Sequence, residues 1–180
     1  MTAPVFTEDW FPGGACENLA DLARLTNALE GRVVEIGSWE GKSTIALANA
    51  VAPSTVHAVD TWQGSPGEPS SVLAAARDVH ATFRSNIDAA TSGNVVDHRM
   101  GWRDYFAADD SPCRFVFIDA EHSYDEVRAT LDVVIPLVVS GGIICGDDVH
   151  HPPVRQALID TFGPYVPWIA NLWFAKLVMP

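Results

Sequence analysis

The chain is poor in cysteine: Cys16, Cys113 and Cys145 are odd in number and scattered, with no C-x-x-C spacing. That excludes a disulfide framework and a thiolate metal site, and suits reduced thiols in a cytoplasmic protein. It is also poor in basic residues. Eleven Lys and Arg stand against 23 Asp and Glu, a net charge of −12. A phosphate backbone is held by clustered Lys and Arg, so no nucleic-acid partner is expected. Apolar runs all fall short of the roughly 18 residues a membrane span needs, so no membrane partner is expected either. Residues Met1 to Pro12 are acidic and aromatic, without the basic and apolar regions of a signal peptide. Repeats and low-complexity tracts are missing as well. A small molecule, a peptide or a protein remains as the substrate.

What is present is a core-forming chain of 180 residues, 48% of them hydrophobic. That fits a single domain over residues 1–180. Leu19, Leu22, Ala23, Leu25 and Leu29 make a helical stripe across Glu17 to Leu29. A strand is expected over Val33 to Ile36, a helix over Gly41 to Val51, and a strand over Val56 to Val59. Trp62 to Ser71, with Gly64, Pro66, Gly67 and Pro69, reads as one long loop of the kind that often carries function. A helix follows over Val72 to Ile87, then strands over Val95 to Met100 and Phe115 to Ile118. A helix over Tyr124 to Leu137 leads to a Gly141-Gly142 turn and a strand over Ile143 to Cys145. A helix over Val154 to Phe162 precedes a hairpin, Tyr165 to Ile169 and Leu172 to Val178, joined by Ala170-Asn171.

Strands alternating with helices predict an α/β fold: a Rossmann-like, doubly wound, mostly parallel seven-stranded sheet with an antiparallel C-terminal strand. Right-handed crossovers put the carboxyl ends of the parallel strands on one rim. Glu35, Asp60, Asp119 and Asp147 each close or follow a strand, so they are expected to converge there although far apart in sequence.

The first turn, Gly37-Ser38-Trp39-Glu40-Gly41-Lys42-Ser43, admits three readings. It nearly fits the phosphate-binding G-x-x-x-x-G-K-[ST] loop. It is one residue short, however, and Glu40 would put a carboxylate inside an anion nest. Asp60 is well placed for the ribose of NAD, but Trp39 stands where a glycine must let a pyrophosphate approach. S-adenosylmethionine has a ribose and an adenine but no phosphate, and its sulfonium cation suits an acidic rim. Glu35 and Glu40 then cease to be anomalies.

The turn Val34-Glu35-Ile36-Gly37-Ser38-x-x-Gly41-Lys42-Ser43-Thr44 is joined by Ala58-Val59-Asp60-Thr61-Trp62, Phe83-x-x-Asn86, Phe117-Ile118-Asp119-Ala120-Glu121-His122-Ser123-Tyr124 and Gly146-Asp147-Asp148. Over these motifs, from about Trp10 to Lys176, the chain resembles class I S-adenosylmethionine-dependent methyltransferases. It is most similar to the small-molecule O-methyltransferases of the catechol and macrocin types. The resemblance implies that Glu35, Gly37 and Ser38 line the methionine end of the cofactor, within the turn that also holds Gly41 and Ser43. Asp60, followed by Thr61, would accept from the ribose, and Trp62 would pack near the adenosine. Gly101 and Trp102 would line the adenine, and Asp119 would border the cofactor. Asp119, Asp147 and Asp148 would bind a divalent cation, Mg²⁺ by preference, and His122, three residues beyond Asp119, would be the base. Lacking the long N-terminal extension of larger members, the pocket would be open or completed by another subunit of a homo-oligomer.

Ordinary roles compete at each position. Glu35 and Gly37 could be a bare strand end and turn, although a carboxylate ending a buried strand is costly without a partner. Asp60 could cap a turn. The three later Asp could cap helices, yet their mutual repulsion is best relieved by a cation. His122 could be structural; as a neutral imidazole near pH 7 it would suit proton removal from a hydroxyl. His150 and His151 read as solvated loop residues. Trp168 and Trp173 read as core or interface, and Trp10, Trp39, Trp62 and Trp102 as pocket candidates. The expected reaction is methyl transfer to a hydroxyl of a small natural-product-like or sugar-like acceptor. N-methylation and a noncatalytic cofactor-binding subunit are the alternatives.

Overall fold

The computed structural model describes residues 3–177. The elements run α1 (Gly13–Arg24), β1 (Arg32–Ile36), α2 (Lys42–Val51), β2 (Val56–Asp60), α3 (Pro69–Ala76), α4 (Val79–Ala90), β3 (Val95–Arg99) and α5 (Trp102–Ala108). Then follow β4 (Cys113–Ile118), α6 (Tyr124–Val134) with a short 3₁₀ turn (Ile135–Leu137), β5 (Val138–Gly146), α7 (Pro152–Phe162), β6 (Trp168–Ile169) and β7 (Leu172–Lys176).

The strands form one seven-stranded sheet in the order β3-β2-β1-β4-β5-β7-β6. β1 to β5 are parallel, and β7 runs antiparallel to both β5 and β6. Strand β4 is buried along its whole length, as a central parallel strand covered on both faces must be. On one face Val33, Phe115 and Phe117 pack with Leu19 of α1 and Leu47 of α2. On the other, Val34, Val116 and Ile144 pack with Phe106, Leu131 and Leu158 of α5, α6 and α7. The connections leave β1 in opposite directions, toward β2 and toward β4. The ends of β1 and β4 therefore open a crevice at the point where strand order reverses. No helix among the described residues is long and apolar enough to cross a membrane.

Several expected boundaries shift. The first helix lies earlier than Glu17 to Leu29, ending at Arg24 with Leu25 exposed. The single helix expected over Val72 to Ile87 is two, broken at Arg77-Asp78, because the Asp78 carboxylate caps α4 by accepting from the Ala81 amide at 3.0 Å. Gly141-Gly142 is not a turn but lies inside β5, at an irregularity in its pairing with β4. There a side chain on Gly142 would meet the Arg114 carbonyl at 2.8 Å. The first hairpin strand is only Trp168–Ile169, and the end of the expected second one, at Val178, lies outside the described residues.

Candidate active site

The turn after β1 is held by close backbone approach. The Gly37 amide donates to the Val59 carbonyl at 2.9 Å, and the Asp119 amide donates to Ile36 at 2.8 Å. A Cβ on Gly37, at φ +87°, would stand 1.9 Å from the Asp119 carbonyl oxygen, so the ends of β1 and β4 meet only over a glycine. Trp39 is in the left-handed region at φ 45°, strain that its surroundings must sustain. Those surroundings are Asp60. Its Oδ2 accepts from the Ser38 and Trp39 amides, both at 2.8 Å, and its Oδ1 accepts from the Trp62 amide at 2.7 Å.

Above the turn lies a cavity of about 650 Å³, within the range of small-molecule sites. Gly37, Ser38, Ser43, Asp60 and Thr61 line its middle, Gly101 and Trp102 one end, and Asp119, His122, Asp147 and Asp148 another side. The N-terminal segment forms a further wall with Phe6, Glu8, Trp10 and Phe11. That segment is strapped down by two buried residues. Glu40 accepts from the Thr7 amide at 2.8 Å and the Thr7 hydroxyl at 2.7 Å, and pairs with Arg77 at 3.1 Å. Asn86 exchanges hydrogen bonds with the Val5 backbone at 2.8 and 2.9 Å and donates to the Glu40 carbonyl at 2.9 Å.

The acidic side is organised around His122. Its Nε2 is 2.9 Å from Asp148 Oδ2 and 3.7 Å from Asp119 Oδ1, ion-pair contacts without hydrogen-bond alignment, and its Nδ1 is 3.2 Å from Glu68 Oε1. Asp119 and then Asp148 push the imidazole up to about 11, and His122 in turn holds Asp148 below the usual carboxylate range. Burial raises Asp119. Burial, then the Asp119 charge, pushes Asp147 up to about 7. Asp148 sits at φ 58°, which separates it from its neighbour: Asp148 faces His122 while Asp147 is buried with Oδ1 unpaired.

Four site expectations need correction. Asp119, Asp147 and Asp148 were expected to converge on a cation, but the donor atoms within 4.8 Å of one another are those of Asp119, His122 and Asp148. His122 is not the neutral imidazole expected, because it sits among three carboxylates. Glu35 does not line the cavity. It points to the α2 side, where the Thr44 hydroxyl donates to its Oε2, and burial pushes it up to about 7. Trp62 does not line the cavity either. It is 3% exposed, packs on Phe83 and His80, and donates through Nε1 to the Trp39 carbonyl at 2.7 Å. Gly41 acts through its backbone: at φ +87° it starts α2, and a Cβ there would meet the Phe83 ring at 3.0 Å.

The remaining tryptophans divide. Trp10, Trp39 and Trp102 line the cavity, Trp173 is buried, and Trp168 is about half exposed. His151 stands edge-on to His122 at 5.9 Å. Glu68 and the strap residues Phe6, Glu8 and Phe11 were not expected at the site. The signals were the Trp62 to Ser71 loop for Glu68 and the acidic, aromatic character of the first twelve residues for the strap.

A profile of the methyltransferase domain matches residues 34–149. Curated protein sequences gave no match. Among solved structures, the O-methyltransferase NovP is 22% identical with a TM-score of 0.68, over 91% of this chain and 79% of its own. An O-methyltransferase from Bacillus cereus in complex with SAH is 20% identical, TM-score 0.68, over 96% and 84%. TomG from Streptomyces achromogenes, an O-methyltransferase of tomaymycin synthesis in complex with SAM, is 18% identical, TM-score 0.68, over 92% and 80%. These likenesses establish a shared fold.

Proposed function

The chain belongs to the methyltransferase domain family, and from that premise we propose that it transfers the methyl group of S-adenosylmethionine to a hydroxyl of a small acceptor. The observation that carries this reading is the cavity over the β1 and β4 ends. It has Asp60 at its middle, Trp102 at one end and the Asp119, His122 and Asp148 group at one side. The amide donors a phosphate would need at the first turn already bind Asp60, which disfavours ATP and NAD. Asp60 retains one acceptor site, on Oδ1, for a ribose hydroxyl, since a carboxylate accepts about four hydrogen bonds and three are filled.

In the transfer, a lone pair of the acceptor oxygen forms the new C–O bond. The S–C bond breaks with its pair going to sulfur, and the hydroxyl proton leaves to a base. The sulfonium charge disappears as this happens, so the protein's main task is alignment. Oriented approach supplies roughly 7–11 kcal/mol.

The residues present fit a divalent cation: two carboxylates and an imidazole converge, beside a buried carboxylate oxygen with no partner. Asp119 and Asp148 would hold it, with His122 left beside it as the base, and it would lower the pKa of an acceptor hydroxyl. With Asp119 and Asp148 engaged by a cation, the charges that raise the His122 pKa would be offset, and the imidazole could accept the hydroxyl proton. The test is calorimetry with SAH, S-adenosylmethionine, ATP and NAD, followed by transfer of labelled methyl to a hydroxylated acceptor. Binding of the first two alone supports the reading; binding of ATP or NAD in their place overturns it.

A further inference from the structure

The charge and surface of the cavity restrict the acceptor further. Nine carboxylate side chains line it against two cationic ones, Lys42 and His122. Neither cation is free. Lys42 pairs with Asp9, and His122 lies between Glu68 and Asp148. The guanidinium groups nearest the lining are committed as well: Arg77 to Glu40, and Arg103 to Glu126 through two hydrogen bonds of 2.8 Å. The backbone nest formed by the Ser38 and Trp39 amides is filled by Asp60. The cationic side chains and the amide nest named here are therefore already occupied by the chain's own carboxylates, and a divalent cation would add two positive charges against nine negative ones. Glu8 and Glu121 line the same space with no ion pair within 4 Å among the described residues.

The other lining is aromatic. Trp10 and Trp39 stand with ring centroids 5.4 Å apart, and Phe6 and Phe11 continue the wall. Aromatic faces carry negative electrostatic potential, so they accept apolar rings and cations but not anions.

We infer that the acceptor is a neutral or cationic molecule presenting an apolar ring face, and that phosphorylated, nucleotide-linked and carboxylate acceptors are rejected. This rests on the methyl-transfer reading and specifies its substrate class. A fixed negative potential in a partly closed cavity acts on any ligand charge and is screened by salt.

The experiment uses the full chain with S-adenosylmethionine, Mg²⁺ and three ring diols of one skeleton, bearing a methyl, an aminoethyl or a carboxyethyl group. The cationic diol should be methylated with the highest kcat/KM, the neutral one below it, and the anionic one at least about tenfold more slowly than the neutral one. Added salt should raise the anionic rate toward the neutral one, and Glu121→Lys should narrow the gap at low salt. If SAH fails to bind in calorimetry, the methyltransferase reading falls. If SAH binds and the anionic diol reacts as fast as the neutral one at low salt, the charge inference falls while that reading stands. Should no diol react, the same ranking is read from their binding to the SAH complex. Equal or tighter binding of the anionic diol, or binding of none, overturns the inference.

Discussion

Glu68 lies 3.2 Å from His122, joining the loop after β2 to the start of α6 through Oε1 and Nδ1. The contact directs Nε2 of the imidazole toward Asp119 and Asp148. A carboxylate on the distal nitrogen fixes tautomer and ring orientation, and removing such a partner typically costs about 10–100-fold in activity or metal affinity. Glu68→Gln should therefore lower kcat within that range, with SAH affinity held. His122→Ala should cost more, about 10²–10⁴-fold in kcat, as for loss of a general base. Near-parental kcat in His122→Ala would make the imidazole purely structural.

Asp60 anchors three backbone amides as well as facing the cavity. Asp60→Ala should thus weaken SAH binding and also lower the unfolding free energy, by about 1–3 kcal/mol for each effect. Paired calorimetry and urea unfolding separate the two. A loss of binding with unchanged stability would mean the amides find other partners.

Chelation supplies a third test. Removing divalent ions should abolish turnover while SAH binding persists, and Mg²⁺ or Mn²⁺ should restore it. Asp119→Asn and Asp148→Asn should raise the Mn²⁺ dissociation constant, and Asp147→Asn much less, because Asp147 lies outside the converging group. Full turnover in EDTA removes the cation from the mechanism.

The parts of the site that were legible in the sequence are those fixed within a few residues. The β1–turn–α2 unit, Asp60 at the end of β2 and Asp119 at the end of β4 follow from strand length, glycine position and the carboxyl-end rule. What was not legible depends on backbone sign or on distant partners. The left-handed φ of Asp148 decides which of two adjacent carboxylates turns to His122. Glu35 was seen as too costly to bury alone; its Oε2 accepts from Thr44 on α2, while Oε1 has no hydrogen-bond partner among the described residues. Glu68 reaches His122 across 54 positions, and the strap reaches Asn86 across 81, separations that no local pattern encodes.

Gly37→Ala should be severe. The added methyl would be placed 1.9 Å from the Asp119 carbonyl, at a φ of +87° that alanine disfavours. Relief requires separating the ends of β1 and β4, so a loss above about 4 kcal/mol is expected. Gly67, also at positive φ but with nothing within 4 Å of a Cβ, should tolerate alanine at a cost near 1 kcal/mol. Equal thermal shifts in the two variants would contradict the close approach.

Stability should peak in mild acid, and Glu35 is the main reason. Its folded pKa of about 7 exceeds the ordinary 4.5 because the carboxyl is buried. Between those values the unfolded chain has lost the proton while the folded protein keeps it, so stability falls as pH rises through this window and then levels. The difference corresponds to about 3 kcal/mol. Asp147, also about 7, acts in the same direction. His122, held near 11, adds stability that is complete below its unfolded pKa of about 6.5 and declines as pH climbs toward 11. Asp148 and Asp97, held low, contribute only above about pH 4, which sets the acid limit. Glu35→Gln keeps a polar partner for Thr44 without a charge to bury. Urea unfolding should show it more stable than the parent at pH 8, by about 2–3 kcal/mol, and nearly equal at pH 5. Equal destabilisation at both pH values would show that the Glu35 carboxylate is held charged, with a partner that offsets its burial.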